Sequence, residues 1–440
     1  MYEFNLPENF MLGTATSSVQ TEGGDKNNTW YRWCTEGHIK DSSSCITAND
    51  HWNRIDEDTA ILKSLNVQTH RMSIEWSRIE TERGIFSEEA INHYKYEIEN
   101  LLSNNIKPLI TLHHFSEPIW FHNIGAWENP ESTDIFLEYV QYTVEKLGHL
   151  VNEWITFNEP NVYTVLGYGA GLWPPGKKGI INSLKIYSKI IKTHTEAYKL
   201  IHAIRSKNNY KDVTLVGSAM HIRIFEGRSV HSKLIASLSN YVFNELLIVG
   251  ITTGNLKFPL SKSAHNIKSG RYADFIALNY YTKITVEFTF KLSTVFYKEG
   301  NDKRLDNTEL GWDIYPQGLY DICKKYYEKF KLPIFITENG ISDKSDLKRS
   351  DYILSHIANV AKAINEGIPV KRYYYWTLFD NFEWLEGETT SFGLVECDFR
   401  TFERRIKNSA KLYSEICKHK KFTREMYKRF FDDKITMKSP

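Results

Sequence analysis

The sequence predicts an α/β fold, a single (β/α)8 TIM barrel spanning residues 1–440. Short apolar or β-branched runs recur at roughly 30- to 60-residue intervals, and each precedes a stretch with helical spacing of apolar residues. Most of these runs are continuously apolar, as in parallel strands that are buried on both faces. Eight such units can be counted, the number that closes a barrel of this kind.

The strand candidates follow one another in the order that such a barrel requires. They are FMLGTAT (10–16), VQTHRMS (67–73), KPLITLH (107–113), EWITFN (153–158), VTLVGSA (213–219), ADFIALN (273–279), PIFIT (333–337) and VKRYYYWT (370–377). The alternative is an open doubly wound sheet. Its dinucleotide-binding form carries a GxGxxG turn after the first strand, and the turn GTATSSVQTEGG (13–24) lacks that pattern.

Polar residues that favour helix ends mark three of the intervening helices. The predicted caps are Asp50 for the helix over 52–65, Ser132 or Thr133 for the helix that runs to Leu147, and Asp351 for the helix over 352–367, which Gly367 closes. The end of the chain, 418–440, is rich in Lys and Arg and predicts a surface helix followed by a loose tail.

Composition and charge exclude several classes of protein. The chain has 55 Lys plus Arg against 54 Asp plus Glu, so no bulk charge favours nucleic acid or an anionic membrane as a partner. We expect no secretory leader, because the first residues lack a basic segment followed by an apolar run, and no uncharged apolar run of about 18 residues is present. The five cysteines are scattered without a CxxC pair, which argues against a disulfide framework or a zinc site and favours a cytoplasmic location. The oligomeric state stays open.

Enzymes with this fold work at the C-terminal ends of the barrel strands. Polar or aromatic residues suited to binding and catalysis follow seven of the eight predicted strands: Gln20, Arg71, His113 with His114, Asn158 with Glu159, Asn279 with Tyr281, Glu338, and Trp376 with Glu383. Any one of them could serve solubility or capping alone. Their repetition favours a small-molecule site at this end of the barrel.

Glu159 and Glu338 each come directly after an apolar run, on the fourth and seventh strands, which face each other across the mouth of the barrel. Two carboxyl groups can hydrolyse a glycosidic bond. A separation of about 5 to 5.5 Å gives retention of configuration and about 6.5 to 9.5 Å gives inversion. The sequence alone leaves that choice open. A nearby Arg and Tyr suit one ionised and one protonated carboxyl.

Other chemistries are disfavoured. His113 and His114 are adjacent on a strand and therefore point to opposite faces, which argues against a shared metal. No HExxH, Walker A or GxSxG pattern is present, so a metalloprotease, a nucleotide enzyme and a serine hydrolase are not indicated. We expect no metal and no organic cofactor.

Two segments, TFNEP (156–160) and ITENG (336–340), resemble the catalytic motifs of glycoside hydrolase family 1, the retaining β-glycosidases. The resemblance covers about residues 4–417. It extends in the family's order to FMLGTATSSVQTEGG (10–24), RMSIEWSRIE (71–80), TLHHFSEPIW (111–120), ALNYYT (277–282), GWDIYPQGLY (311–320) and YYYWTLFDNFEWLEG (373–387). It implies a β-glucosidase acting on small β-glycosides or short oligosaccharides, with galactose and fucose as alternative sugars.

The resemblance also implies a role for each site residue. Glu159 corresponds to the general acid/base and Glu338 to the nucleophile, with Arg71, Tyr281 and Asn279 as further catalytic positions. The substrate-binding positions implied are Gln20, His114, Asn158, Trp376, Glu383 and Trp384 around the sugar and Trp312 on the leaving-group side.

One departure and two alternatives qualify this interpretation. Asn161 replaces a Trp that is common on the leaving-group side, which puts a preference for aryl or oligosaccharide leaving groups in doubt. The phospho-sugar branch of the family usually has a Ser where Glu383 stands, and a carboxylate there would repel phosphate. A 6-phospho-β-glycosidase is therefore the second hypothesis. A non-catalytic sugar-binding protein is the third, disfavoured because both carboxylates are present.

Overall fold

Eight parallel strands close into a barrel in the computed structural model, which describes residues 2–260, 267–288 and 297–432. The strands are β1 (Met11–Ala15), β2 (Thr69–Ser73), β3 (Lys107–Thr111), β4 (Glu153–Asn158), β5 (Leu215–His221), β6 (Ile276–Asn279), β7 (Ile334–Asn339) and β8 (Val370–Trp376). They pair in sequence order, and β8 closes on β1. Each of the eight strand predictions is confirmed, and so is the barrel.

One principal helix follows each strand and covers the outside of the barrel. These helices are α1 (Ile55–Ser64), α2 (Glu88–Ser103), α3 (Ser132–Leu147), α4 (Ile180–Lys207), α5 (Leu246–Thr253), α6 (Gln317–Phe330), α7 (Arg349–Asn365) and α8 (Asn408–His419). The segments between these elements contain further helices and helical turns: Ser18–Thr21, Thr29–Thr35, His51–Asn53, Trp76–Ile79, Ile119–Asn123, Ala126–Glu128, Pro160–Thr164, Val165–Gly169, Val230–Asn240, Tyr241–Glu245, Trp384–Glu386, Arg424–Tyr427 and Lys428–Asp432.

The predicted helix caps are only partly correct. Asp50 has left-handed backbone angles and precedes a 3-10 turn, so it does not cap α1, which begins at Ile55. Ser132 and Thr133 both lie in the first turn of α3, after the cap position. Asp351 is likewise in the first turn of α7, where a negative charge still favours the helix dipole. Gly367 has a φ of 86° just past the end of α7, as predicted.

The inside of the barrel is filled by side chains, so it is a core and not a channel. Apolar residues from most of the strands meet there, and the rings of Phe275 and Phe335 stack with centroids 4.1 Å apart. At the N-terminal end Glu153 is fully buried and bridges two cations, with Nζ of Lys107 at 2.7 Å and the guanidinium of Arg372. The polar groups at that end are satisfied by one another and contribute to stability.

Within the described residues, four small sheets lie outside the barrel. Ile224–Gly227, Lys283–Phe288 and Tyr297–Gly300 form a three-stranded sheet beyond the C-terminal ends of β5 and β6. The others are two-stranded: Phe4–Asn5 with Lys421–Phe422, Glu80–Glu82 with Ile85–Phe86, and Val395–Cys397 with Arg404–Ile406. Part of the predicted tail is therefore paired to the start of the chain, and its last residues, 433–440, lie outside the described residues.

One helical run, Val230–Thr253, is long and apolar enough to cross a membrane by length and composition alone. It contains Lys233 and Glu245 and is therefore not an uncharged apolar run. Of its most apolar window, 44% is buried inside the protein, and core helices pass the same test. The run is weak evidence for a membrane span.

Candidate active site

A cavity of about 310 Å³ opens at the C-terminal ends of the barrel strands. Its wall contains ten residues of interest: His114, Asn158, Glu159, His221, Tyr281, Trp312, Glu338, Trp376, Glu383 and Trp384. Nine of the ten were predicted from the sequence, and His221 was not. The volume suits a small ligand that is largely enclosed.

Glu338 lies within β7, next to its end, and is held by two donors. Nη1 of Arg71 lies 2.6 Å from its Oε1, and the Tyr281 hydroxyl donates to Oε2 at 2.5 Å. Burial raises the pKa of Glu338 to about 7, with the Arg71 guanidinium opposing that rise and the charge of Glu159 adding to it. Arg71 and Tyr281 favour the ionised form of this carboxyl.

Glu159 follows β4 and has a left-handed backbone, with φ of 39°, an uncommon conformation for a residue with a side chain. Its Oε1 accepts hydrogen bonds from Nδ2 of Asn279 at 2.8 Å and from Nδ1 of His221 at 3.0 Å. Burial would raise the pKa of Glu159, but the adjoining His221, the Asn279 amide and the Arg223 guanidinium bring it below its usual value. The two carboxyls thus share a buried site and titrate as a pair.

A chain of hydrogen bonds joins the two carboxyl groups. Arg71 donates to Glu338 and, through Nη2, to Oδ1 of Asn158 at 2.7 Å. That same Oδ1 accepts from Nδ2 of Asn279 at 3.1 Å, and Asn279 in turn donates to Glu159. Thr337 donates to Oδ1 of Asn279 at 2.6 Å and fixes the orientation of the amide. These side chains come from strands β2, β4, β6 and β7 or directly follow them, which explains their convergence.

Glu383 lies on another wall of the cavity and is hydrogen-bonded to Gln20, which is fully buried and does not line the cavity. Nε2 of Gln20 donates to Oε2 of Glu383 at 3.1 Å and to the Phe382 carbonyl at 2.9 Å. Burial raises the pKa of Glu383 to about 8, and repulsion from Glu338 adds to the rise. At neutral pH the Glu383 carboxyl is therefore largely protonated, and it can both donate and accept hydrogen bonds.

Three tryptophan rings, those of Trp312, Trp376 and Trp384, flank these polar side chains. The ring of His114 stacks near Trp376 and Trp384, with centroids 5.9 and 6.0 Å away. Its Nε2 accepts from Nδ2 of Asn158 at 2.9 Å, and burial lowers the pKa of His114 well below its usual value, so the ring is neutral. Trp312 packs edge-on against Tyr281 with centroids 5.7 Å apart. Flat apolar faces beside polar groups are the surfaces that sugar rings contact.

The structure separates the two adjacent histidines. His114 reaches the cavity, whereas Nε2 of His113 lies 2.9 Å from Oε1 of Glu117 in the core. In the described part of the chain no group of three or more His, Cys, Asp and Glu side chains is placed to hold a metal ion. All five cysteines are free thiols.

Sequence reasoning missed two groups near Glu159. They are His221, the last residue of β5, and Arg223, two residues further along the chain. Both line the cavity. The predicted fifth strand stopped at Ala219, two residues too early, so no polar residue was assigned to its end. The rule that located the other residues would have found His221 with the correct strand boundary.

The model for glycosyl hydrolase family 1 matches residues 2–422. The chain belongs to this family. β-Glucosidase A of Thermotoga maritima is 33% identical over 94% of this chain and 98% of its own. Among solved structures, a β-glycosidase from Pyrococcus horikoshii is 35% identical with a TM-score of 0.87, and covers 97% of this chain and 98% of that one.

A second solved structure has an inhibitor bound. It is a β-glucosidase from Thermotoga maritima in complex with deoxynojirimycin, 30% identical with a TM-score of 0.86, covering 96% of this chain and 100% of that one. The predicted family, the fold class and the assignment to glycoside-hydrolysing enzymes are thereby confirmed. The family 1 chain described here carries both predicted carboxyls at one cavity.

Proposed function

We propose that this protein is a retaining β-glycosidase that releases terminal β-linked glucose from small β-glycosides and short oligosaccharides. The observation that carries the proposal is the pairing of Glu338, held by Arg71 and Tyr281, with Glu159 on the wall of the same cavity. The names of relatives such as the β-glucosidases A of Thermotoga maritima and Acetivibrio thermocellus support glucose as the sugar. A relative named β-galactosidase supports galactose as one alternative, and fucose is a second alternative that rests on the sequence resemblance alone. We also propose a cytoplasmic location, which the scattered free thiols support.

In the first step Glu338 attacks the anomeric carbon and Glu159 protonates the departing oxygen. This step uses the form of the pair in which Glu338 is ionised and Glu159 carries the proton. Arg71 and Tyr281 support that form because both donate to Glu338. The bond to the leaving group breaks as the glycosyl–enzyme ester forms. Glu338 loses its negative charge in the ester, and Glu159 gains one when it gives up its proton.

In the second step a water molecule replaces the leaving group. Glu159, now ionised, accepts a proton from this water as it attacks the anomeric carbon, and Glu338 leaves as a carboxylate. The sugar departs with its original configuration after two inversions. The Asn279 and His221 donors stabilise the ionised Glu159 that this step requires.

Glu383 supports an unphosphorylated sugar. Below about pH 8 its carboxyl can donate one hydrogen bond and accept another from adjacent hydroxyls, while Gln20 holds it in place. A carboxyl in this position has no positive charge to offer a phosphate and becomes repulsive once it ionises. For these reasons we do not favour a 6-phospho-β-glycosidase.

The test is hydrolysis of nitrophenyl β-glucoside, β-galactoside, β-fucoside and 6-phospho-β-glucoside, with the product anomer followed by NMR. We expect the β anomer first, from unphosphorylated sugars. An α product would contradict the assigned roles of Glu159 and Glu338. Activity on the 6-phosphoglucoside alone would establish the phospho-glycosidase instead, and inactivity on all four would favour a non-catalytic sugar-binding protein.

A further inference from the structure

His221 lies between Glu159 and Tyr281, the residue that donates to Glu338. Its Nδ1 lies 3.0 Å from Oε1 of Glu159. Its ring stacks on Tyr281, whose hydroxyl donates to Glu338, with centroids 5.6 Å apart and planes inclined by 20°. The backbone at His221 is fixed as well, because Nδ2 of Asn161 donates to its carbonyl at 2.7 Å. One side chain therefore contacts both the candidate acid/base and the residue that supports the candidate nucleophile.

The contacts of His221 determine where its proton is. Nε of Arg223 lies 3.2 Å from Nε2 of His221, and a guanidinium can only donate. Nε2 must therefore be the unprotonated acceptor, so the hydrogen is on Nδ1 and is donated to Glu159. A doubly protonated ring would place two donors against each other. Arg223 thus orients the ring so that Nδ1 is the donor to Glu159.

The same contacts distinguish the two oxygens of Glu159. Oε1 already accepts from both His221 and Asn279, so a proton placed there would face two donors. The proton that a general acid must deliver is left to Oε2. We propose that His221 is a positioning residue that directs the transferable proton of Glu159 to Oε2 and favours the ionised form of that carboxyl in the second step of the reaction. This inference rests on the acid/base role proposed for Glu159.

The titratable and charged groups around His221 come from three directions. Glu159 faces it from the end of β4, Tyr281 from the segment after β6, and Arg223 from the segment after β5. The ring of Phe243 packs edge-on against the remaining side. Glu338 lies one contact further, beyond the Tyr281 hydroxyl. Of these groups only Glu159 exchanges a proton with substrate and touches His221 directly, so it is the group whose titration the imidazole controls.

The test compares His221→Leu with His221→Asn by measuring kcat/KM against pH. Leu removes the donor, which disfavours the ionised form of Glu159, and we expect the alkaline limb to move up by about one pH unit. At the optimum, kcat/KM for a glycoside with a poor leaving group should fall about tenfold, since proton delivery is misdirected. A dinitrophenyl glycoside needs no acid and should lose less than about threefold.

The Asn variant provides the rescue. Nδ2 of Asn and Nδ1 of His are attached to the same Cγ position, so the amide can donate to Oε1 of Glu159 and should return the alkaline limb to within about 0.3 pH units. His202→Leu, far from the cavity, is the matched control and should leave the profile unchanged. Unfolding midpoints confirm that each variant is folded.

The experiment separates failure of this inference from failure of the proposed function. If Glu159→Gln removes the alkaline limb but neither His221 variant moves it, His221 has no positioning role and Glu159 keeps its own. If the alkaline limb persists in Glu159→Gln, the acid/base assignment itself is wrong. A shift that is equal in the Leu and Asn variants would also overturn the inference, because it would reflect ring volume and not the donated hydrogen bond.

Discussion

The guanidinium of Arg71 and the carboxylate of Glu338 form an ion pair inside the protein, with Nη1 2.6 Å from Oε1 and side chains that are 0% and 4% exposed. Such a pair holds a charge that the interior would otherwise neutralise. Arg71 is fully buried, whereas Glu338 lies on the cavity wall, so a residue of the barrel core stabilises the charge of a carboxylate at the candidate active site.

Replacing Arg71 should shift the acidic limb of the pH profile of kcat/KM. Without the guanidinium, the pKa of Glu338 rises from about 7, so Arg71→Met moves the acidic limb of kcat/KM to higher pH and lowers activity at pH 6 most. Arg78→Met is the matched control, since it removes a buried pair with Glu22 outside the cavity. It should cost stability without moving the limb. An unmoved limb in Arg71→Met would refute the assignment.

Glu159→Gln should separate substrates by their leaving groups. A protonated acid matters when the departing oxygen is basic, so turnover of a methyl glycoside should fall by about 10² to 10⁴. The first step on a dinitrophenyl glycoside should change by less than tenfold, which pre-steady-state release of the phenolate measures. Equal losses on both substrates would indicate that Glu159 has another role.

Glu383 should make sugar binding depend on pH. Its pKa of about 8 means that the carboxyl loses its donor proton above that pH, so KM for the glucoside should rise between pH 7 and 9. Glu383→Gln keeps a donor and an acceptor at all pH values and should show a flat KM over that range. A wild-type KM that stays constant to pH 9 would contradict this prediction.

His51 should stabilise the fold more at low pH than at high pH. It bridges Asp58 at 2.7 Å and Glu97 at 2.9 Å. Although burial opposes it, these carboxylates raise the pKa of His51 well above its usual value. The contribution is full below the ordinary pKa of about 6.5 and is lost as pH rises through the raised value.

His51→Leu should therefore lower the free energy of unfolding by about 3 kcal/mol at pH 6, and by progressively less at higher pH. Thermal unfolding across that range is the measurement, with the exposed His149→Leu as control. A deficit that grows with pH would show that the ring is not held as a cation.

Sequence reasoning located most of the barrel because buried parallel strands are continuous apolar runs and the fold gathers their ends in one place. Glu159, Glu338 and Arg71 were found in this way. It was less successful where contacts between residues distant in the sequence determine where a strand ends. His221 belongs to β5 because it pairs with Asn279 of β6, a partner that is distant along the chain.

The loops were also beyond prediction. Asp50 looks like a helix cap, but its side chain bonds Asn53 and Arg54 within a preceding turn. The sheet containing Ile224–Gly227 and Lys283–Phe288 joins segments after different strands, and neither segment has a pattern that identifies its partner. Local sequence determines whether a strand can form, whereas the neighbour it pairs with depends on the whole fold.

The hydrogen-bonded chain from Glu338 through Arg71, Asn158 and Asn279 to Glu159 is anchored in barrel strands or at their ends and not in the long loops. Loops around the mouth can therefore be exchanged, by evolution or by an engineer, while the spacing of the carboxyls stays fixed. New leaving groups could be accommodated in this way without altering which anomer is released. Stereochemistry and substrate range therefore depend on different parts of this scaffold, the first on the barrel strands and the second on the loops.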